Sequence, residues 1–207
     1  MSQKKLKIVV YSDYICPFCY IGFYRVEQLK ENFDLEVEWR PFEIHPETPK
    51  EGTELANLPF PKEYLEMMKA NIKKLADEVG ATFKLTDKLP NSRMALFFSE
   101  FARKKGVFDE FHKTVLDAYW KNGQDIGEQT LLLSLAESIG LNRNEILEYI
   151  DSEEPINELK NSLKELRNYG INGVPTFIIG ESIVVGAQPY EVFDKAIRKT
   201  LENDLIL

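Results

Sequence analysis

The chain has two cysteines, and only Pro17 and Phe18 separate them. Cys16 and Cys19 follow a short apolar, β-branched run and precede helix-compatible residues, so Cys16 is predicted to lie at a helix N-terminus. Unpaired backbone N–H groups and the positive end of the helix dipole stabilise a thiolate at that position. Pro17 suits a first helical turn, because it lacks an N–H and its φ is fixed. The pattern predicts a redox-active dithiol.

This placement predicts a role for each thiol. Cys16 is expected to be the nucleophile that forms a mixed disulfide with the substrate, and Cys19 to resolve that mixed disulfide by attacking it. In the oxidising direction a substrate thiolate attacks Cys16 of the internal disulfide, and Cys19 is the leaving group. The same pair can therefore run in either direction, and the sequence does not decide which.

Two other interpretations of the pair are disfavoured. Cys-x-x-Cys is also a zinc-ligand spacing, but His45 and His112 lie far apart and match no zinc-finger pattern, so no metal is expected. An inert buried pair is disfavoured, because the position between strand and helix is specific for redox motifs. Asp13, three residues before Cys16, is interpreted as a cap or turn former rather than as a catalytic proton relay.

The elements around the dithiol follow from hydrophobic periodicity. Residues 6–11 predict a buried strand, residues 18–31 a helix, and the alternation from Leu35 to Trp39 a half-exposed strand that Pro41 closes. The opening of the chain is therefore a βαβ unit.

A helical block comes next, and the chain then returns to strands. Apolar residues recur every three or four positions from about Pro61, and similar stretches continue to Tyr169. Residues 176–179 and 183–185 predict a hairpin across a three-residue loop, and Pro189 precedes a final helix.

The order βαβ, helical block, ββα predicts an α/β protein with a thioredoxin fold and a helical domain inserted between the two halves. The expected boundaries are 1–60 for the N-terminal thioredoxin-like half, 61–155 for the inserted helical domain and 156–207 for the C-terminal half.

Composition excludes several partners. The 207 residues carry a formal net charge of −8 with a pI near 5.0, which argues against nucleic-acid binding because phosphates need a concentrated basic surface. No apolar stretch approaches the roughly 20 residues that cross a bilayer, and no export signal is visible. We therefore expect a cytoplasmic protein with no membrane partner. Whether it forms a homodimer is left open.

A second motif lies just before the predicted hairpin. Gly173, Val174 and Pro175 precede the strand that starts at Thr176, and a proline at this position can follow a cis peptide bond. Alone the motif is weak, because a proline at a strand entry can simply lack a ladder donor. Together with the cysteine pair it is much stronger evidence.

These motifs resemble the DsbA family of the thioredoxin superfamily, in particular its cytoplasmic branch related to polyketide-biosynthesis dithiol-disulfide isomerases. The resemblance runs nearly end to end and is carried by DYICPFCY at 13–20, WRPF at 39–42, GVPTF at 173–177 and GAQP at 186–189. In such proteins the residue before the cis-proline offers its backbone to the substrate beside the nucleophilic sulfur. The resemblance therefore implies that Val174 and Pro175 bind substrate. Pro17 and Phe18 are expected to join them, with Phe18 as an apolar contact surface.

Two departures from the family bear on the redox potential. Pro17-Phe18 stands where the periplasmic oxidants carry Pro-His, and apolar Val10 stands where they bury an acidic residue. Without an imidazolium beside it, the Cys16 thiolate loses a stabilising charge, and a less stable thiolate makes a less oxidising protein.

The sequence thus predicts a dithiol-disulfide oxidoreductase or isomerase acting on protein or small-molecule thiols. It is expected to need no cofactor beyond glutathione or another thiol as co-substrate. One alternative is a glutathione-dependent isomerase or transferase acting on an aromatic or polyketide-like substrate. The other is a redox-switched chaperone.

Overall fold

Four strands form one mixed sheet in the computed structural model, which describes residues 5–204. The strands of the chain are β1 (Leu6–Ser12), β2 (Leu35–Pro41), β3 (Thr53–Glu54), β4 (Lys88–Leu89), β5 (Thr176–Ile179) and β6 (Ser182–Val185). The main sheet has the order β2-β1-β5-β6, with β1 parallel to β2 and antiparallel to β5. β5 and β6 are antiparallel neighbours, and β3 pairs with β4 outside this sheet.

The alternation of β1 divides its side chains between two apolar clusters. Ile8 and Val10 lie in the main core, whereas Tyr11 lies in a smaller cluster on the other face of the strand. β1 pairs in register from Leu6 opposite Leu35 to Ser12 opposite Pro41. The central strand is therefore covered on both faces.

Eight helices pack around this sheet within the described residues. They are α1 (Pro17–Lys30), α2 (Lys62–Glu78), α3 (Arg93–Lys104), α4 (Phe108–Leu116), α5 (Gln129–Ser138), α6 (Arg143–Ile150), α7 (Glu154–Asn168) and α8 (Tyr190–Asp204). A π-helical turn, Asp117–Lys121, extends α4. None of these helices is long and apolar enough to cross a membrane.

Helices cover the two faces of the sheet. On one face, Phe193 of α8 packs edge-to-face on Phe177 of β5 with ring centroids 4.7 Å apart, and α1 lies beside it. On the other face, Leu166 of α7 closes the small cluster with Tyr11 and Phe42. The predicted α/β thioredoxin fold with a helical insertion is therefore confirmed.

Two helices begin with residue types that suit a helix start. The side chain of Asn142 accepts hydrogen bonds from the backbone N–H groups of Asn144 and Glu145, which is the geometry of an N-cap. Pro155 lies in the first turn of α7.

Other details differ from the sequence-based expectations. The β5–β6 loop has two residues, Gly180 and Glu181, because Ser182 pairs with Ile179 as part of the strand. The β3–β4 pair was not anticipated, since each strand has only two residues. The division of the chain at 60 and 155 stays a prediction, and its second boundary falls inside the first turn of α7.

Candidate dithiol active site

Cys16 is the N-cap residue of α1, with an extended backbone (φ −83°, ψ 115°). Its carbonyl oxygen accepts hydrogen bonds from the backbone N–H groups of Cys19 at 3.0 Å and Tyr20 at 3.2 Å. The local sequence produces this arrangement because Pro17 fills the first helical turn without losing a hydrogen bond. The Cys16 sulfur thus lies at the positive end of the helix.

The second wall of the site is the segment before β5. The peptide bond between Val174 and Pro175 is cis, and the Cys16 thiol donates to the carbonyl oxygen of Val174 at 3.6 Å. Thr176 Oγ1 donates to the carbonyl of Gly173 at 2.8 Å and closes the turn. The two motifs, distant in sequence, therefore meet at one sulfur atom.

Cys19 lies behind Cys16 in the first turn of α1, and only 1% of its surface is exposed. Burial, followed by the adjacent Cys16 sulfur, raises the pKa of the Cys19 thiol well above its ordinary value. The backbone N–H of Asp13 points at the Cys19 sulfur from 3.5 Å and acts in the opposite direction. Cys19 is therefore held as a protonated thiol when the pair is reduced.

Asp13 is a buried carboxylate in the loop between β1 and α1. Its Oδ1 accepts from the backbone N–H of Ile15 at 3.4 Å, and its Oδ2 accepts from the N–H of Ile44 at 2.7 Å. Burial raises its pKa to about 6, although both of these hydrogen bonds favour the ionised form. The turn-forming role predicted from its position is present, together with a link to the chain after β2.

The helical block supports the loop before Cys16 through Tyr14. Trp120 Nε1 donates to the carbonyl of Tyr14 at 2.8 Å, and His112 Nδ1 lies 3.1 Å from the Tyr14 hydroxyl. Burial, followed by the charge of Arg103, lowers the pKa of His112 to about 3, so the ring is neutral. The Tyr14 hydroxyl, whose pKa burial raises, stays protonated and shares one hydrogen bond with Nδ1 of the neutral ring.

An apolar cavity of about 230 Å³ adjoins the dithiol, and Cys16 forms part of its wall. It lies between the start of α1, the chain after β2 and the helix α2. Its lining includes Ile15, Phe18, Leu58, Met68, Ile72 and Trp120.

Residues 7–198 match the DSBA-like thioredoxin domain, which is nearly the whole chain. The chain belongs to this family. The predicted enzyme class, a DsbA-like thiol-disulfide oxidoreductase, is thereby confirmed.

Two curated relatives align with this DSBA-like chain over most of its length. The "uncharacterized protein YwbO" of Bacillus subtilis (strain 168) is 33% identical over 193 residues, which cover 92% of this chain and 94% of YwbO. A 2-hydroxychromene-2-carboxylate isomerase of Sphingobium xenophagum is 24% identical over 182 residues, or 85% and 90% of the two chains.

Solved structures share the fold of this DSBA-like chain. A probable DsbA oxidoreductase from Streptomyces coelicolor superposes with a TM-score of 0.86 at 22% identity and covers 95% of this chain and 90% of its own. Cytosolic disulfide reductase DsbM from Pseudomonas aeruginosa, solved with GSH, has a TM-score of 0.67 at 19% identity and covers 98% and 100%. These neighbours share the DSBA-like thioredoxin fold with this chain.

The structure brings the predicted site residues of this DSBA-like chain together. Cys16, Pro17 and Phe18 lie in one wall of the cavity, and Val174 is in contact with Cys16. Phe18, expected to offer an apolar contact surface, is half-buried, and part of its side chain packs against the main core. The roles of these residues stay predictions.

The sequence interpretation missed the depth of burial of Asp13 and the contribution of α2 to the cavity. Cap spacing indicated the turn at Asp13, but its partner Ile44 lies beyond β2, where no sequence signal points to it. The amphipathic period of α2 indicates a buried face but not that Met68 would line the same cavity as Cys16.

Proposed function

We propose that this chain catalyses dithiol-disulfide exchange through Cys16 and Cys19, on protein or small-molecule thiols. The observation that carries the proposal is the position of Cys16, which lies at the N-terminus of α1 and 3.6 Å from the Val174 carbonyl, with Cys19 buried behind it. A thiolate at a helix N-terminus is stabilised, whereas a buried neighbour stays protonated until it is needed.

In the reducing direction, the Cys16 thiolate attacks one sulfur of a substrate disulfide. A bond forms between Cys16 and that sulfur, the substrate S–S bond breaks, and the other half leaves as a thiolate. Cys19 then loses its proton and attacks the Cys16 sulfur, which forms the internal disulfide and releases the second substrate thiolate. Two electrons have then passed from the protein to the substrate.

The internal disulfide needs a thiol to reduce it, and we propose glutathione or another small thiol as this co-substrate. Two thiols together supply the two electrons and leave as a disulfide. The structural similarity to DsbM, which was solved with GSH, supports this proposal, and its description as cytosolic supports a cytoplasmic location.

A second candidate function is a glutathione-dependent isomerisation of an aromatic substrate. The similarity to 2-hydroxychromene-2-carboxylate isomerase and the apolar cavity beside Cys16 favour it. The presence of both cysteines favours exchange, because an isomerisation has no need of a resolving thiol. If Cys19→Ser left turnover of an aromatic substrate intact while the protein failed to exchange disulfides, this second candidate would be preferred.

The deciding experiment equilibrates the protein in glutathione redox buffers and measures the fraction of internal disulfide. We expect a reversible two-electron transition, with a potential more negative than the roughly −120 mV of DsbA because Phe18 supplies no imidazolium. If no disulfide forms between Cys16 and Cys19 in any buffer, the dithiol mechanism is wrong.

Two single-cysteine variants identify the roles. Cys19→Ser should accumulate one glutathione on Cys16, visible by mass spectrometry, because the resolving thiol is missing. Cys16→Ser should accumulate none, since Cys19 is buried and protonated. The reverse pattern would exchange the two roles.

A further inference from the structure

Access to the nucleophile is restricted. Only 3% of the surface of Cys16 is exposed, and its thiol points to the Val174 carbonyl on one side. The apolar cavity lies in contact with Cys16 as well and opens to solvent past the start of α2. A group bonded to a sulfur that attacks Cys16 therefore has a defined space to enter.

The wall of the cavity is predominantly apolar. It is built almost entirely from aliphatic and aromatic side chains, and its charged or titratable lining side chains within the described residues, besides Cys16, are those of His45, Tyr64, Lys69 and Tyr119. Lys69 is already paired with Glu66 at 3.1 Å, and His45 with Glu47 at 2.9 Å. A charged or strongly hydrated group would lose water in this space and would find few polar partners to replace it.

The volume sets the size of the occupant. An apolar cavity of roughly 150 Å³ is large enough to hold benzene, and this one measures about 230 Å³. A phenyl ring with a short linker fits, whereas the peptide part of glutathione, with two carboxylates and an ammonium group, does not suit an apolar wall.

We propose that the cavity binds an aromatic or branched alkyl group of a small thiol or disulfide substrate, and that Cys16 exchanges with the sulfur attached to that group. This inference rests on the proposed dithiol exchange and specifies its substrate class. In the mixed disulfide, the apolar group occupies the cavity while the leaving thiol departs along the Val174 side. The bond from Cys16 to this sulfur forms as the substrate S–S bond breaks, and the other half leaves as a thiolate.

The mouth of the cavity has the same character. Phe60 and Tyr64 line it, with ring centroids 5.3 Å apart, and each is nearly half exposed. Exposed aromatic rings beside an apolar cavity extend the surface on which an aromatic ligand can pack.

The test compares two thioethers that differ only in the apolar group, S-benzylglutathione and S-methylglutathione, by titration calorimetry. We expect the benzyl compound to bind roughly ten- to hundred-fold more tightly, because its ring leaves water on entering the cavity. Benzyl–glutathione mixed disulfide should show a similar advantage in kcat/KM over its methyl counterpart.

Two neighbouring methionines of α2 provide the variant and its control. Met68→Trp fills the cavity and should abolish the benzyl preference, whereas Met67, which is 64% exposed and outside the cavity, should tolerate the same substitution without effect. Leu58→Trp, a second filling variant outside the helix, should repeat the loss if Met68→Trp does not fold.

The outcomes separate this inference from the proposed function. Equal affinity for the two thioethers, or a preference that both filling variants retain, overturns the cavity assignment even if disulfides are exchanged. Conversely, a benzyl preference that Met68→Trp removes supports the ligand class, and failure to turn over either mixed disulfide would then show that the exchange reaction is wrong.

Discussion

Asp13 connects three segments at the base of the dithiol. Its carboxylate accepts from Ile15 and Ile44, while its own N–H points at the sulfur of Cys19. A charged carboxylate in a fully buried position is costly, and its two backbone donors offset only part of that cost. The residue holds the loop in place at the expense of stability near neutral pH.

The pKa of Asp13 predicts a specific pH dependence of stability. The folded state binds its proton more tightly than the unfolded chain, so the free energy of unfolding should fall as pH rises from about 4 to about 6 and then level off. The contribution lost over this window is about 3 kcal/mol. Asp13→Asn cannot titrate, so urea denaturation should show the wild-type value falling relative to the variant. Parallel profiles would contradict the assignment.

The dithiol could be predicted from the sequence at the level of single residues, whereas its surroundings could not. The spacing of Cys16 and Cys19 after a strand fixes their position at a helix N-terminus by local rules. The burial of Asp13 and the neutral state of His112 depend on side chains that reach them from distant elements. Local sequence patterns carry no information on such tertiary contacts.

At the scale of elements, the site depends on the close approach of α1 to the entry of β5. A Cβ on Gly22 would lie 2.9 Å from Cζ of Phe177 and 3.5 Å from Cγ of Pro175. Glycine at this position therefore allows α1 to lie near enough for Cys16 to contact Val174. The absence of a Cβ at Gly22 thus permits the close approach of α1 to the segment that contains Pro175.

Gly22→Ala should accordingly separate the two walls of the site. We expect a loss of stability of about 1–3 kcal/mol from overpacking, together with a lower rate of disulfide exchange. Thermal unfolding and an exchange assay measure the two effects. Glu27→Ala on the exposed side of the same helix is the matched control and should change neither. Wild-type stability and activity in Gly22→Ala would show that the contact is not needed.

The order of the elements was predictable because a hydrophobic period of two residues, or of three to four, runs through each long strand or helix. Short elements were not predictable. The two residues of β3 are too few to show a period, and their partner β4 lies beyond α2 in the sequence. The predicted β5–β6 loop is one residue longer than the observed loop. Ser182 is polar, but it belongs to β6 and pairs with Ile179.

For the whole molecule, the helical block and the sheet are held together by polar contacts as well as by a shared core. Arg93 of α3 forms a bidentate ion pair with Glu43 at 3.0–3.1 Å, and Arg103 donates to the carbonyl of Trp39. The indole N–H of Trp120 donates a hydrogen bond to the carbonyl of Tyr14. The block is thus attached next to the dithiol rather than at a remote surface.

This attachment predicts a single cooperative unfolding transition. Trp39 lies in β2 and Trp120 in the helical block, so Trp39→Phe and Trp120→Phe each leave one tryptophan as a reporter of one part. In each variant, urea curves from fluorescence and from far-ultraviolet circular dichroism should coincide. Separate midpoints within one variant would show that the two parts unfold independently.

The central strand β1 has partners from both ends of the chain. β2 follows it after one helix, but β5 arrives only after the whole helical block. Closing so long a loop is entropically costly and slow. During synthesis, β1 therefore leaves the ribosome with one hydrogen-bonding edge unpaired and retains it until β5 has been added. Because an unpaired strand edge is a template for pairing with other chains, we expect the nascent chain to be prone to aggregation until β5 has paired.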